Sequence, residues 1–253
     1  MIRPRLIPLL LLENENLIKT ISFKNPTYLG DPINALKIFN EKEVDEICIL
    51  DKSARINGIN FKLLENLANE AFMPLSYGGG VKTIEEAKRI IKIGFEKIIL
   101  NEITFESMDF VKKLSAEIGN QSVVVSIDYR VDLFGRHICF YGGGQFNGNI
   151  SPLKHAIESV KNGAGEILIT SIDHEGKMKG FDYSLIQKLS KLVDLPLIAH
   201  GGCGSLGDIK KVIYENGAAA VAIGSFFVFY GKKKGILINY PSQEMLFNEG
   251  IYI

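Results

Sequence analysis

Residues 5–20 read "RLIPLLLLENENLIKT", and the meaning of the seven apolar residues at 6–12 decides the fold. Behind Arg3 and Arg5 the run has the outline of a secretory signal. Its details argue otherwise. It lies at the short end for such a segment, and Glu13-Asn14-Glu15-Asn16 stands where a small-residue cleavage site belongs. No later run approaches the roughly 18 apolar residues of a membrane span. The stretch is instead predicted to be a buried β-strand, and the protein to be cytoplasmic.

Seven further short apolar runs follow, at 46–50, 73–77, 97–101, 122–128, 166–171, 195–200 and 220–224. Strands that are apolar throughout are buried on both faces, as in a parallel sheet wrapped by helices. Amphipathic segments lie between them. "TIEEAKRIIKIG" (83–94) puts Ile84, Ala87, Ile90 and Ile91 on one face. "SLGDIKKVIYENG" (205–217) has Ser205 as N-cap and Gly217 as its stop. Eight such strands in 253 residues predict an α/β fold, a single closed (β/α)8 TIM barrel. A doubly wound open sheet is the alternative.

The bulk composition agrees. Apolar residues make up 46% of the chain, enough for a large core, and 29 basic residues balance 29 acidic ones. Nothing in that balance pulls toward nucleic acid or an anionic membrane. Cys48, Cys139 and Cys203 are odd in number and lack metal-ligand spacing, which reads as reduced thiols. His137, His155, His174 and His200 lack such spacing too, so no metal and no cofactor are expected.

An internal repeat strengthens the barrel reading. "EICILDKSARING" (46–58) resembles "EILITSIDHEGKMKG" (166–180). "YGGGVKTIEEAKRIIKIGFEKIILN" (77–101) resembles "HGGCGSLGDIKKVIYENGAAAVAIG" (200–224). Two half-barrels of about 1–120 and 121–229 are predicted within a single domain spanning 1–253, followed by an atypical tail at 230–253.

Active sites of such barrels lie at the C-terminal ends of the strands. There the repeat sets Gly78-Gly79-Gly80 against Gly201-Gly202, and Asn101 against Gly224-Ser225. Glycine lets backbone N–H groups approach an anion, and an adjacent helix N-terminus adds partial positive charge. The doubled pattern predicts two phosphate sites on opposite rims, for a small molecule phosphorylated at both ends. Asp51, Asp128 and Asp173 end strands, with Glu175 close by. Asp128 ends "SVVVSID", where burial would suit it to acid/base work. Lys19 follows the first strand, within reach of a bound phosphate or simply in solvent. At the opposite end Arg5, Glu46, Lys97 and Glu166 begin strands and must pair with one another, as a salt-bridged plug or as a gate. The loop "YGGGQFNGN" (141–149) is a lid or an idle flexible segment, and Lys232-Lys233-Lys234 a solvated basic turn.

Together these residues resemble the cyclase subunit (HisF) of imidazole glycerol phosphate synthase, from about residue 1 to 229. The resemblance runs through "GDP" (30–32), "YGGG", "KIILN", "VVVSID", "NGAGEILITSID", "GG" (201–202) and "GSFF" (224–227). The histidine-pathway isomerase HisA shares the fold and phosphate pattern, but Glu166 and the four-residue charged set fit the cyclase subunit better. The resemblance implies a HisH-type glutaminase partner on the N-terminal barrel face. Ammonia from that partner would pass the gate of Arg5, Glu46, Lys97 and Glu166. At the far rim it would cleave and cyclise a bis-phosphorylated ribulosyl intermediate, giving imidazole glycerol phosphate and an aminoimidazole carboxamide nucleotide. It also implies Asp128 as catalytic acid/base and Gly80, Asn101, Gly202, Gly224 and Ser225 at phosphate positions. Lys19 falls on a substrate-loop position.

Two departures stand out. The family carries a second aspartate on the first strand, and the aligned residue here is Leu11. Glu13, two residues on and on the same strand face, is the candidate substitute. The tail at 230–243 replaces the usual last helix with a basic turn and an apolar, β-prone segment. Both changes resemble HisF-like paralogues associated with surface-glycan (lipopolysaccharide) gene clusters. In those, the resemblance implies ammonia supply to a sugar amidotransferase.

Overall fold

The first strand, β1 (Arg5–Glu13), explains why its sequence is apolar on both faces. Its even-numbered residues Leu6, Leu10 and Leu12 pack outward into the layer beneath the helices. Ile7 and Leu9 point inward to a separate cluster with Cys48, Ile99, Val124, Leu168 and Ile198. Both sides of the strand are therefore core. The computed structural model describes residues 3–231 and 235–253, so the expected turn at Lys232-Lys233-Lys234 lies outside the described residues.

Seven more parallel strands follow: β2 (Ile47–Asp51), β3 (Leu75–Gly78), β4 (Lys97–Leu100), β5 (Val123–Val131), β6 (Glu166–Ser171), β7 (Leu197–His200) and β8 (Ala220–Ile223). Each pairs with its predecessor, and β8 closes the ring on β1 with Arg5 opposite Ala220 and Pro8 opposite Ile223. The sheet is a closed (β/α)8 barrel, which rules out the doubly wound alternative. β3 and β7 begin one residue after Pro74 and Pro196, later than the apolar runs at 73–77 and 195–200. Proline has no N–H for the ladder.

The connecting helices are α1 (Pro32–Glu41), α2 (Phe61–Glu70), α3 (Ile84–Ile93), α4 (Asp109–Ile118), α5 (Pro152–Lys161), α6 (Tyr183–Leu192) and α7 (Leu206–Tyr214). α3 opens on a capping box between Thr83 and Glu86 and buries Ala87 and Ile90. Ser205 caps α7 by accepting from the Asp208 N–H at 3.1 Å.

Two hairpins rise from the C-terminal rim. Glu13-Asn14-Glu15-Asn16 is a tight turn, with Asn14 and Glu15 at φ 49° and 67° and Glu13 paired to Asn16. Positive φ at both central residues matches the twist of the flanking strands. The turn folds Asn16–Ile21 back along β1, and Lys24–Gly30 pairs with it in turn. The second hairpin joins β5 to His137–Tyr141, and Phe146–Asn147 adds a third short strand. The stretch 141–149 is thus a hairpin end, with only Gly142 to Gln145 as its loop.

After β8 a single turn, Ser225–Val228, leads into a two-residue ladder of Phe229–Tyr230 with Gly235–Ile236. The β-prone segment expected there ends almost at once. Leu237 and Asn239 donate to the Val228 and Phe227 carbonyls. The chain then crosses to the barrel floor, where α8 (Gln243–Asn248) buries Leu246, with Ile251 and Tyr252 following.

Candidate active site

A cavity of about 410 Å³ opens at the C-terminal ends of the strands. Its walls carry Leu9, Leu11, Asp51, Gly80, Asn101, Asp128, Thr170, Glu175 and His200, and Lys19 reaches in from the first hairpin. The inward residues of β1 thus run upward as Arg5 at the floor, then Ile7 and Leu9, then Leu11 at the mouth.

Of the buried carboxyls lining this cavity, Asp51, Asp128 and Glu175, Asp128 is held by side chains alone. Its Oδ2 accepts from Asn101 Nδ2 at 3.3 Å and its Oδ1 from Ser126 Oγ at 3.4 Å. Burial pushes the acid up to about 7, against hydroxyls of Thr170 and Ser126 that favour the charged form. A carboxyl near 7 can hold or release a proton at neutral pH, the property needed for acid/base work. Asp51 is also raised by burial, but its Oδ1 is committed to the Ser53 and Ala54 N–H groups at 2.9 and 3.2 Å. Asp173 accepts from Arg130 and from the Val131 N–H at 3.0 Å. Both act as loop anchors.

The structure gathers the sequence candidates unevenly. Asn101 and Gly80 stand with Asp128 on the main cavity. Gly202, Gly224 and Ser225 line a small adjoining pocket with Lys19 and His200. A side chain at Gly80 (φ 65°) would fall on the Ala54 carbonyl, and one at Gly202 (φ 118°) on the Gly180 carbonyl. Both positions therefore require glycine. Ser225 Oγ is buried without a hydrogen-bond partner among the described residues, and it sits at the start of the short helix after β8. Such orphaned hydroxyls are costly unless a ligand satisfies them. The loops after the seventh and eighth strands with a short extra helix make a recurrent phosphate cradle in this fold. A Cβ on Gly224 would come within 2.8 Å of Lys19 Cε, so the lysine arm lies over this cradle.

Lys19 is buried and ion-paired to Glu175. Glu175 also accepts from Thr20 Oγ1 at 3.1 Å and the Phe23 N–H at 3.0 Å. Glu175 therefore holds the first hairpin down over the mouth. In the sequence Glu175 stands out only as a neighbour of Asp173. Its partners are about 150 residues away in the chain, and nothing local reports them. Glu13 takes no place in the cavity: it pairs with Lys52 at 2.6 Å on the outer lip. His200, hydrogen-bonded to Thr170 at 3.3 Å, is held neutral by burial and the nearby Lys19 charge, down to about 3.

At the floor the four charged strand-start residues form one ring. Arg5 reaches Glu46 at 2.6 Å and Glu166 at 2.7 Å, while Lys97 reaches Glu46 at 2.8 Å and Glu166 at 3.2 Å. Directly above it lies a void of about 10 Å³ lined by Ile7, Glu46, Cys48, Ser76, Val124 and Ala222 among others. That is room for one small molecule the size of water. Among the described residues no cluster of His, Cys, Asp or Glu could hold a metal ion, and no helix is long and apolar enough to cross a membrane.

Residues 5–234 match the family described as histidine biosynthesis protein. A Leptospira interrogans protein provisionally named imidazole glycerol phosphate synthase subunit HisF is 46% identical over 250 residues, covering 96% of this chain and 97% of that protein. A Pseudomonas aeruginosa protein provisionally named subunit hisF2 is 44% identical, covering 97% and 99%. The imidazole glycerol phosphate synthase subunit HisF of Exiguobacterium sibiricum is 37% identical, covering 90% and 91%. With its closed barrel, paired glycine cradles and ring of charges, the chain belongs to the histidine biosynthesis protein family, where it stands with the HisF subunits.

Proposed function

We propose that the chain is the synthase subunit of a glutamine amidotransferase: a HisH-type glutaminase docks at the barrel floor, and ammonia crosses the barrel to a bis-phosphorylated substrate at the mouth. The family reaction yields imidazole glycerol phosphate and an aminoimidazole carboxamide nucleotide. The observation that carries this reading is the pairing of two glycine cradles around a buried Asp128. One cradle includes the unsatisfied Ser225 hydroxyl.

Each part of the path has its chemistry. The ring of Arg5, Glu46, Lys97 and Glu166 closes the floor, so entry requires one cation to swing aside. The lumen above is apolar. It favours neutral ammonia over ammonium, because an unpaired ion loses its hydration there. At the mouth, Asn101 steadies Asp128, which exchanges protons with the substrate. Lys19, released from Glu175, meets the phosphate at Gly202, Gly224 and Ser225.

Leu11 favours a second reading. It lines the cavity where the family carries an aspartate, and an apolar side chain moves no proton. Acid/base groups contribute about 10²–10⁴-fold, so the cyclase step here runs on Asp128 alone, or the ammonia passes on to a separate sugar amidotransferase. Ammonium-driven turnover of the bis-phosphorylated intermediate separates the two. Turnover lost in Asp128→Asn supports the synthase reading. No turnover, alongside ammonia release from a bound glutaminase, supports delivery to another enzyme.

A further inference from the structure

The tail meets the floor beside the ion ring. Tyr252 donates its hydroxyl to Asp45 at 2.6 Å, and Arg3 reaches the same carboxylate at 2.8 Å while lying 3.8 Å over the Tyr252 ring. Asp45 also accepts from the Leu6 N–H at 2.9 Å, and the Tyr240 hydroxyl reaches the Leu6 carbonyl at 3.4 Å. Leu6 and Asp45 are chain neighbours of Arg5 and Glu46, two members of the ring. The tail therefore forms one sector of the ring's outer rim.

This same segment leaves apolar side chains in water. Leu246, Ile251 and Tyr252 fill its inward face, whereas Met245 is 48% exposed, Phe247 53% and Ile253 73%. Phe247 is braced edge-on against Tyr252 at 5.8 Å. These side chains are held in place on an anchored support, which lowers the ordering cost of binding.

We infer that the tail is a docking surface for the ammonia-supplying glutaminase, with Phe247 and Ile253 as its apolar anchors. The inference rests on the proposed function. A protein that delivers ammonia into the ring must close around the ring's outer mouth, because any gap loses the gas to solvent. The tail occupies part of that rim, so the delivering protein has to meet it. Large apolar side chains desolvated near the centre of an interface carry most of its affinity.

The test is the affinity of the full chain for the HisH-type glutaminase of the same organism, measured by titration calorimetry. Phe247→Glu and Ile253→Glu are compared with Phe134→Glu, which changes an aromatic 83% exposed on the hairpin at the opposite end of the barrel. Thermal unfolding verifies that each variant is folded. The expected result is weakening of about tenfold or more for each tail variant, with Phe134→Glu unchanged and ammonium-driven turnover preserved in all three. Unaltered affinity in both tail variants, with the unmodified chain binding, overturns the inference. Failure of the unmodified chain to bind any such glutaminase sinks the ammonia-supply reading itself, and the inference with it.

Discussion

At the residue scale, a buried carboxyl and two buried histidines titrate in opposing senses. Burial raises Asp128 to about 7, so its ionisation costs more in the folded state than in the unfolded chain, where a carboxyl titrates near 4. Stability is therefore lost as pH rises through the window from about 4 to about 7. Asp128→Asn removes that loss. It is expected to stabilise the fold above pH 7, by at most about 4 kcal/mol, to gain nothing below pH 4, and to abolish turnover. His155 and His200 act in the other sense, since burial lowers them to about 4 and about 3. Stability falls as pH drops below about 6.5, and because two histidines outweigh one carboxyl where the windows overlap, urea denaturation across pH 4–8 should show a maximum at about pH 6.5. Ser225→Ala removes a buried hydroxyl that has no partner among the described residues. Its stability should be unchanged or up to about 1 kcal/mol higher, while affinity for inorganic phosphate, read by calorimetry, falls.

Much of this site was legible in the sequence, and the reasons are physical. Asp128 closes the apolar run 122–128, at the rim where this fold holds its chemistry, although the strand itself continues to Val131 as a hairpin arm. The glycine cradles announced themselves through the half-barrel repeat. Glu175 did not, because its value comes from Lys19, Thr20 and Phe23 across the mouth rather than from its own neighbours. Glu13 shows the converse limit. Its strand parity is inward, yet it sits at the last residue of β1, where Lys52 takes it to the lip.

At the scale of elements, the strands were readable because burial on both faces leaves an unbroken apolar run. The first hairpin was not. Its two turns use Asn14 and Glu15, then Ser22 and Phe23, at positive φ without the usual glycine signal, whereas the second hairpin turns on Gly135 and on Gly142 to Gly144. In the cradles glycine is demanded by close approach. Gly202→Ala forces a methyl onto the Gly180 carbonyl at φ 118°. The expected cost is about 1–3 kcal/mol from the strained backbone alone, seen as a lower Tm, together with weaker phosphate binding in the adjoining pocket. Gly207→Ala, inside α7, is the control. Its added methyl meets only Ser205 Oγ at 3.6 Å, and the change should cost nothing.

At the scale of the whole molecule, a floor closed by charge and a mouth proposed to take phosphate are joined by an apolar lumen, and each end can be broken separately. Glu46 is 3% exposed and serves both Arg5 and Lys97. Glu46→Gln leaves two cations short of their partner. Because Arg5 keeps some contact with solvent, about 1–3 kcal/mol of destabilisation is expected, below the 3–5 kcal/mol of a fully buried pair. Glutamine-driven product formation should fall, while ammonium-driven turnover, supplied from the mouth, is retained. The mouth is proposed to be a working phosphate-cradled acid/base site handicapped by Leu11. The decisive assay is ammonium-driven turnover of the bis-phosphorylated ribulosyl intermediate by the unmodified chain, Asp128→Asn and Leu11→Asp. Slow turnover is expected from the unmodified chain, none from Asp128→Asn, and a gain of about 10²-fold or more in Leu11→Asp. Absence of turnover in the unmodified chain, with none restored by Leu11→Asp, would contradict this reading of the mouth.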